Sequence, residues 1–352
     1  MDSLPDWLTP LLDAEAMRGV DRWAIEERGV PSLELMERAG AGVARIVERV
    51  VPDGPAVVVC GKGNNGGDGL VVARLLREAG RNVTVVCATP PGDFAGDARV
   101  NFERLPGEAP IELTEDRARA EGELAAAGVI VDALLGTGFE GEPRGAVGEA
   151  IEAVNAARAP GAPGTAVVSV DVPSGVDAST GVASGAAVRA TVTATFHAGK
   201  PGLWVAPGKT HAGTVETIEI GIPRGWPGAT PIGLIDPSIF ELLPRRWASS
   251  TKFVSGHVLI AGGSRGLTGA PRMAAHAAMR AGAGYVTAFV GESLQPILAT
   301  AGPAELMTRG LPDDGDGGLT VAGVESVLEA SERGGALALG PGLGRAGSAV
   351  EF

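Results

Sequence analysis

Residues 56–76, AVVVCGKGNNGGDGLVVARLL, run from small and β-branched side chains into a loop of five glycines and two asparagines. Glycines let backbone N–H groups approach an anion closely, and a following helix offers its positive end. Gly61-Lys62-Gly63-Asn64-Asn65-Gly66 has the dinucleotide-binding spacing G-x-G-x-x-G. Asp68 stands in the same loop, where a carboxylate would repel a phosphate. Three roles remain open for it: beside a bound cation, hydrogen-bonded to a sugar hydroxyl, or capping the helix. An ordinary dinucleotide site has an acidic residue roughly 20 positions further on, at the end of the next strand. Here that strand end offers Cys87, Ala88 and Thr89, and no carboxylate. A P-loop is excluded, because no Gly-Lys-Ser/Thr follows the glycines.

Three later loops have the same character. VDALLGTGFEGEPRG places Asp132 near a strand end and Gly136, Thr137 and Gly138 just after it. VVSVDVPSGVDASTG places Asp171 and Ser174 after another strand, and TATFHAGKPGL places Lys200 after a third. In open parallel sheets, ligands bind outside the carboxyl ends of the strands, where all four loops fall. Asn65, Asp132 and Ser174 are hard oxygen donors, a set suited to a hydrated or alkali cation rather than a transition metal.

The elements that must position these loops follow from the apolar pattern. Strands are expected at 56–60, 82–88, 129–134, 166–171, 192–196 and 215–220, with helices at 70–79, 116–127 and 146–157. Continuous apolar strands alternating with helices imply a parallel sheet covered on both faces. Two helices precede them, one from Asp13 and one with a capped start at Ser32 after Pro31. The segment GIPRGWPGATPIG reads as a connection. From near Thr251 a second α/β unit begins: HVLIAGG, GYVTAFVG and GALALGPGLG are strands, and GAPRMAAHAAMRAG is a helix.

The chain's 352 residues suffice for two domains, and 45% hydrophobic composition suffices for their cores. A formal net charge of −13 argues against nucleic acid or an anionic membrane as partner. No apolar run approaches the roughly 18 residues of a membrane span, and the acidic, proline-broken start is unlike a secretory signal. Two cysteines and four histidines are too few and wrongly spaced for a zinc site or a disulfide framework. Cys60 and Cys87 read as core filler, and a reducing cytoplasm fits.

In this order, GKGNNGGDGLVVARLL, VDALLGTGF, SVDVPSGVDASTG and TFHAGKPGL resemble the NAD(P)H-hydrate epimerases, over residues 11–223. KFVSGHVLIAGGSRGLTGAPRMAAHAAMRAGAGYVTAFV, with ALALGPGLG, resembles the start of the ADP- or ATP-dependent NAD(P)H-hydrate dehydratases. Joined in this order, the two resemble the bacterial bifunctional nicotinamide nucleotide repair enzymes. The resemblance implies a Rossmann-like three-layer sandwich with a mostly parallel sheet over residues 1–228. An incomplete ribokinase-like α/β domain would follow over 229–352.

The resemblance further implies that R and S forms of NADH or NADPH hydrated at C6 of the nicotinamide (NAD(P)HX) are interconverted by the first domain. The second would dehydrate the S form with ADP or ATP and Mg2+. Potassium would be held by Asn65, Asp132 and Ser174. Substrate would lie on Asn64, Asn65, Gly66, Gly67 and Asp68, on Gly136, Thr137, Gly138, Phe139, Glu140, Gly141 and Glu142, and on Asp171. Asp68 is tolerable there if the cation and substrate hydroxyls offset its charge. Ala270 and Gly344, with Gly262 and Gly263, would face ligand in the second domain. A homodimer through the N-terminal helices is a further expectation.

Ring nitrogen can expel the C6 hydroxyl, leaving a planar centre that water re-enters from either face. That needs an acid and a base. Asp171 is the first candidate, its alternative being a turn cap before Pro173. Lys200 would tune its charge or hold a phosphate, or be a solvated loop lysine; His197 reads as a packed strand-end histidine. A late Gly-Thr-Gly-Asp motif and a His-Pro loop of the dehydratases do not occur after Gly344, so the second domain is expected to be inactive. The competing reading is a non-catalytic nucleotide- or partner-binding protein on the same fold.

Overall fold

The computed structural model describes residues 4–158, 164–332, 334–345 and 347–352. The chain divides into two compact units, Met1–Ile239 and Phe240–Phe352. In the first, β1 (Leu8–Pro10) and helix α1 (Ala14–Arg22) lead through a π turn at Trp23–Glu27 to α2 (Ser32–Val50). The alternation then runs β2 (Ala56–Cys60), α3 (Asn64–Glu78), β3 (Val83–Cys87), α4 (Gly96–Glu103), β4 (Ile111–Glu112), α5 (Arg117–Ala126), β5 (Val129–Ala133) and α6 (Gly145–Ala157). Strands β6 (Ala166–Val170) and β7 (Val192–Phe196), a short α7 (Gly208–Ala212), β8 (Thr214–Ile218) and β9 (Gly233–Ile235) complete the unit.

Seven strands form one parallel sheet in the order β4-β3-β2-β5-β6-β7-β8. Their side chains alternate between two cores. Ala56, Val58 and Cys60 face a core shared with α1, α2 and α3, while Val57 and Val59 face one shared with α5 and α6. Both cysteines are free and buried, filling the first core. From β2 the chain winds outward through β3 and β4, then returns to β5 on the other side of β2. The switch point between β2 and β5 opens a crevice at their carboxyl ends, the position where such sheets bind ligands.

Three differences from the expected elements have physical causes. Helix α3 begins at Asn64, six residues before the expected 70, so the glycine-rich stretch is helical rather than a loop. Asp68 therefore lies inside the helix and caps nothing; the N-cap is Gly63. Ser32 is the first helical residue, not the cap: Pro31 holds that position, and no side chain caps the helix. At the end of the segment read as a connection, β9 begins and pairs antiparallel with β1, Leu8 opposite Ile235. That pairing keeps β9 in the first unit, and the division between units falls after Ile239 rather than after 228.

The second unit contains β10 (His257–Ala261), α8 (Gly269–Arg280), β11 (Tyr285–Gly291), α9 (Gln295–Ala301), β12 (Met307–Leu311), α10 (Val324–Ser331), β13 (Ala336–Leu339) and a last turn α11 (Gly347–Glu351). Its parallel sheet has the order β12-β11-β10-β13, with a switch point between β10 and β13. β13 is an edge strand, and Leu337 and Leu339 on it are exposed.

Early glycines of α3 let the helix close onto the sheet. A Cβ on Gly66 would sit 1.7 Å from the Gly61 carbonyl oxygen, a backbone atom that cannot rotate away. Gly122, by contrast, is exposed inside α5 with nothing near its Cβ position. Gly66→Ala is expected to destabilise the first unit by about 1–3 kcal/mol or more. Gly122→Ala should stabilise it by up to about 1 kcal/mol. Urea denaturation of the two variants checks both signs.

Candidate active site

A cleft of about 780 Å³ lies at the β2/β5 switch point. Its walls include Asn64, Asn65 and Asp68 of α3, the run Gly136 to Glu140 after β5, Asp171 after β6 and Phe196 at the end of β7. Helix α1 closes one side with Met17, Arg18 and Asp21.

Asp171 and Lys200 anchor the cleft. Lys200 is 1% exposed, and its Nζ donates to Asp171 Oδ1 at 2.6 Å, Thr195 Oγ1 at 3.0 Å and the Phe196 carbonyl at 2.9 Å. All three ammonium protons are thus engaged, so Lys200 is neither a solvated loop lysine nor free to hold a phosphate. Asp171 Oδ1 also accepts from the Phe196 amide, and Oδ2 accepts from the amide and hydroxyl of Thr137. Burial opposes its ionisation, but the charge and hydrogen bond of Lys200, with Thr137 and the Phe196 amide, prevail and hold the carboxyl below its ordinary value. An aspartate kept ionised with both oxygens occupied is a poor proton carrier, which weakens its expected acid/base role. Asp171 also adopts φ 64°, a left-handed conformation costly for a residue with a Cβ. It caps no turn before Pro173; its carboxylate is committed to Lys200 and Thr137.

His197 takes φ 61° directly after β7. Burial pushes its imidazole below the ordinary value, and its buried Nδ1 has no hydrogen-bond partner among the described residues. It packs at the strand end and does not line the cleft.

Asn65 and Ser174 meet at the backbone of Leu135, and Asp132 joins them through Ser174. Asn65 Nδ2 donates to the Leu135 carbonyl at 2.9 Å, and the Leu135 amide donates to Ser174 Oγ at 2.9 Å. Ser174 Oγ donates to Asp132 Oδ1 at 2.5 Å, while Asp132 Oδ2 accepts from Ser169 Oγ and the Ser174 amide. Burial raises the Asp132 carboxyl against these hydrogen bonds. The cluster is built from oxygens with a single carboxylate, and this donor set fits a hard monovalent cation.

Asp68 is 8% exposed and its carboxyl makes no hydrogen bond to any described residue. Burial, then Asp171 and Asp21, push it well above the carboxylate range. The shift favours the neutral form, which lessens the charge that a cation and sugar hydroxyls were expected to offset. Asp21, absent from the expected site, reaches about 6, through burial and Asp171 with Lys200 opposing. One signal for it existed: Met17, Val20, Asp21 and Ala24 share one stripe of an amphipathic helix, and Asp21 interrupts the apolar run.

Other expected residues fall elsewhere. Gly66 and Gly67 are buried packing positions, against the Gly61 backbone and Met36 respectively, and do not line the cleft. Gly141 and Glu142 lie outside it too, Glu142 beside Gly185 and Arg144. In the second unit, Gly262 and Gly263 follow β10, and Ala270 starts α8. Ser264 Oγ donates to the Gly342 carbonyl, and Ala270 and Gly344 flank that junction.

The first unit thus defines a Rossmann-like α/β protein with its cleft at the topological switch point. The family of YjeF-related protein N-termini matches residues 32–202, and the family of NAD(P)H-hydrate dehydratases matches residues 258–352. The chain is 42% identical over 222 residues to the NAD(P)H-hydrate epimerase of Pirellula staleyi, covering 62% of this chain and 95% of that protein. It is 41% identical over 353 residues to the bifunctional NAD(P)H-hydrate repair enzyme Nnr of Moorella thermoacetica, covering 97% of this chain. The chain spans 65% of the length of that relative. A crystal structure of yeast ynu0 superposes with a TM-score of 0.51 at 24% identity, over 65% of this chain and 97% of that one, a likeness of fold. The chain belongs to the NAD(P)H-hydrate epimerase family, and its residues 258–352 match the NAD(P)H-hydrate dehydratases.

Lys200→Met would leave Asp171 charged and buried without its partner, at an expected cost of about 3–5 kcal/mol. Adding Asp171→Asn should restore part of that stability. Because the folded Asp171 value is depressed, its contribution is full above about pH 4 and is lost as pH falls through the folded value. Urea titrations of both variants at pH 7 and pH 3 check the order.

Proposed function

We propose that the first unit interconverts the R and S forms of hydrated NADH and NADPH. The observation that carries this reading is the convergence of four loops on one cleft around the buried Asp171–Lys200 pair. The family membership supplies the reaction; Asp171 presents the negative end of a buried ion pair where the reaction develops a positive charge. Loss of the C6 hydroxyl leaves the nicotinamide ring cationic, and a preorganised carboxylate stabilises such a charge more strongly in a dry cleft than water does. Lys200 keeps Asp171 ionised and oriented without touching substrate.

Asn64, Asn65 and Asp68 with Gly136 to Glu140 hold the nucleotide, and the amino end of α3 faces its phosphates. Asn65, Asp132 and Ser174 are the residues to hold potassium. When bound, that ion adds positive charge beside the nucleotide.

For the second unit we propose adenine-nucleotide-dependent dehydration of the S form as the activity of the domain to which it belongs, with Gly262, Gly263, Ala270 and Gly344 near the nucleotide and Mg2+ accompanying it. Residues 258–352 match the NAD(P)H-hydrate dehydratases, which supports this reading of the second unit.

The test follows S-NADHX by chiral-resolving chromatography after purified R-NADHX is mixed with the chain and potassium. Exchange at least about 100-fold above the spontaneous rate is expected, at the low end of enzymatic acid–base catalysis. Binding without exchange would replace catalysis with a nucleotide-holding role. Parallel samples with ADP or ATP report dehydration as NADH absorbance.

A further inference from the structure

We infer that Asp21 and Asp68 form a proton-exchanging pair, one carboxyl protonated and the other ionised, which trade states at each epimerisation. This rests on the epimerase reading above and names the groups that move its protons. The geometry supplies three reasons. Both side chains line the cleft that holds Asp171, Asp21 from α1 and Asp68 from α3. Neither makes a hydrogen bond to any described residue, whereas both oxygens of Asp171 are occupied. Asp68 is 8% exposed, a buried polar group with no protein partner in a substrate-sized opening.

Two carboxyls sharing one weakly solvated site do not both ionise readily; one proton is retained between them. Both groups are shifted upward, Asp68 by burial, Asp171 and Asp21, and Asp21 by burial and Asp171 with Lys200 opposing. Other charged groups border the same cleft: Arg18 on the same helix, Lys62 before α3, Asp97 on α4, Glu140 after β5, and Asp171, which is paired with Lys200.

The step balances. The protonated carboxyl gives its proton to the C6 hydroxyl, the C6–O bond breaks, and water departs with the bonding electron pair. The ring nitrogen lone pair forms the C=N bond of the cation, whose charge Asp171 faces. A water then adds to C6 from the other face, the C=N electrons return to nitrogen, and the surplus proton passes to the ionised carboxyl. The substrate is inverted, and the pair has exchanged states, ready for the reverse reaction.

The test compares wild type with Asp21→Asn in the R-to-S exchange assay with potassium. Exchange should fall about 100-fold or more, the usual contribution of a positioned acid or base. Binding of NADH hydrate, read by calorimetry, should stay within a few-fold. The Asp21 carboxyl is raised on folding, so its ionisation costs stability as pH rises through about 6. Asp21→Asn should therefore melt at or above the wild-type temperature at pH 8. Wild-type exchange should also decline below about pH 6 as both carboxyls protonate, and this acid limb should vanish in the variant. Variant exchange within about two-fold of wild type, or a wild-type rate flat from pH 5 to pH 8, overturns the pair while leaving the epimerase reading intact. No wild-type exchange at any pH overturns both. Should Asp21→Asn fold poorly, the wild-type acid limb and the retention of exchange in Asp21→Glu decide the matter.

Discussion

The cleft depends on the buried ion pair between Asp171 and Lys200. Removing two charges from water costs several kcal/mol per ion, and attraction alone does not reliably repay it. Here additional hydrogen bonds close the account: three acceptors around Lys200 and four further donors around Asp171. Those partners come from different loops. Thr137 follows β5, Asp171 follows β6, and Thr195, Phe196 and Lys200 belong to β7 and the turn after it. One ion pair thus fastens three neighbouring strand ends at the height where ligand would lie. The left-handed backbone of Asp171 is what aims its carboxylate across that junction.

The parallel sheet was legible because its strands are buried on both faces and read as unbroken apolar runs. The start of α3 was not. Asparagine and glycine are poor helix formers, so propensity places the helix later, at Leu70. Tertiary packing overrides this: Gly66 meets the Gly61 backbone and Gly69 meets Ala133, approaches that only a missing Cβ permits. The residues that weaken the helix locally are those that let it dock. Asp21 was hidden for the opposite reason. It lies far from the glycine motifs on an ordinary amphipathic helix, and only the folded arrangement brings it to Asp68 and Asp171. The β1–β9 pair left no trace, since three-residue strands carry no period to detect.

The two units solve one packing problem in the same way. In each, a strand beside the switch point ends in a glycine whose missing Cβ admits the backbone of the adjoining strand's loop. Gly61 after β2 lies against the Leu134 carbonyl, its Cβ position 2.1 Å from that oxygen. Gly262 after β10 lies against the Pro341 carbonyl, at 2.3 Å. Close approach at this point narrows the base of the crevice and sets the loops beyond it apart. Glycines that look like ligand contacts in sequence act partly as close-packing positions of this kind, and Gly66 and Gly67 lie in the binding motif yet do not line the cleft.

The proposed nucleotide would bring two phosphates to this cleft, and by net charge an acidic chain is a poor host for them. Position decides the outcome rather than net charge. Asp171 is ionised but tied to an ammonium, so the pair is close to neutral at a distance. Asp68 gains some help as an anion from the amino end of α3. Burial, with the charges of Asp171 and Asp21, outweighs that help and pushes the carboxyl toward its neutral form. Asp21 sits less deeply and titrates nearer neutrality. Three aspartates of identical chemistry are therefore shifted differently, Asp171 downward and Asp68 and Asp21 upward. What separates them is the depth of each and whether a lysine is within reach, so the cleft can hold an anion, a proton and a developing cation in the same small volume.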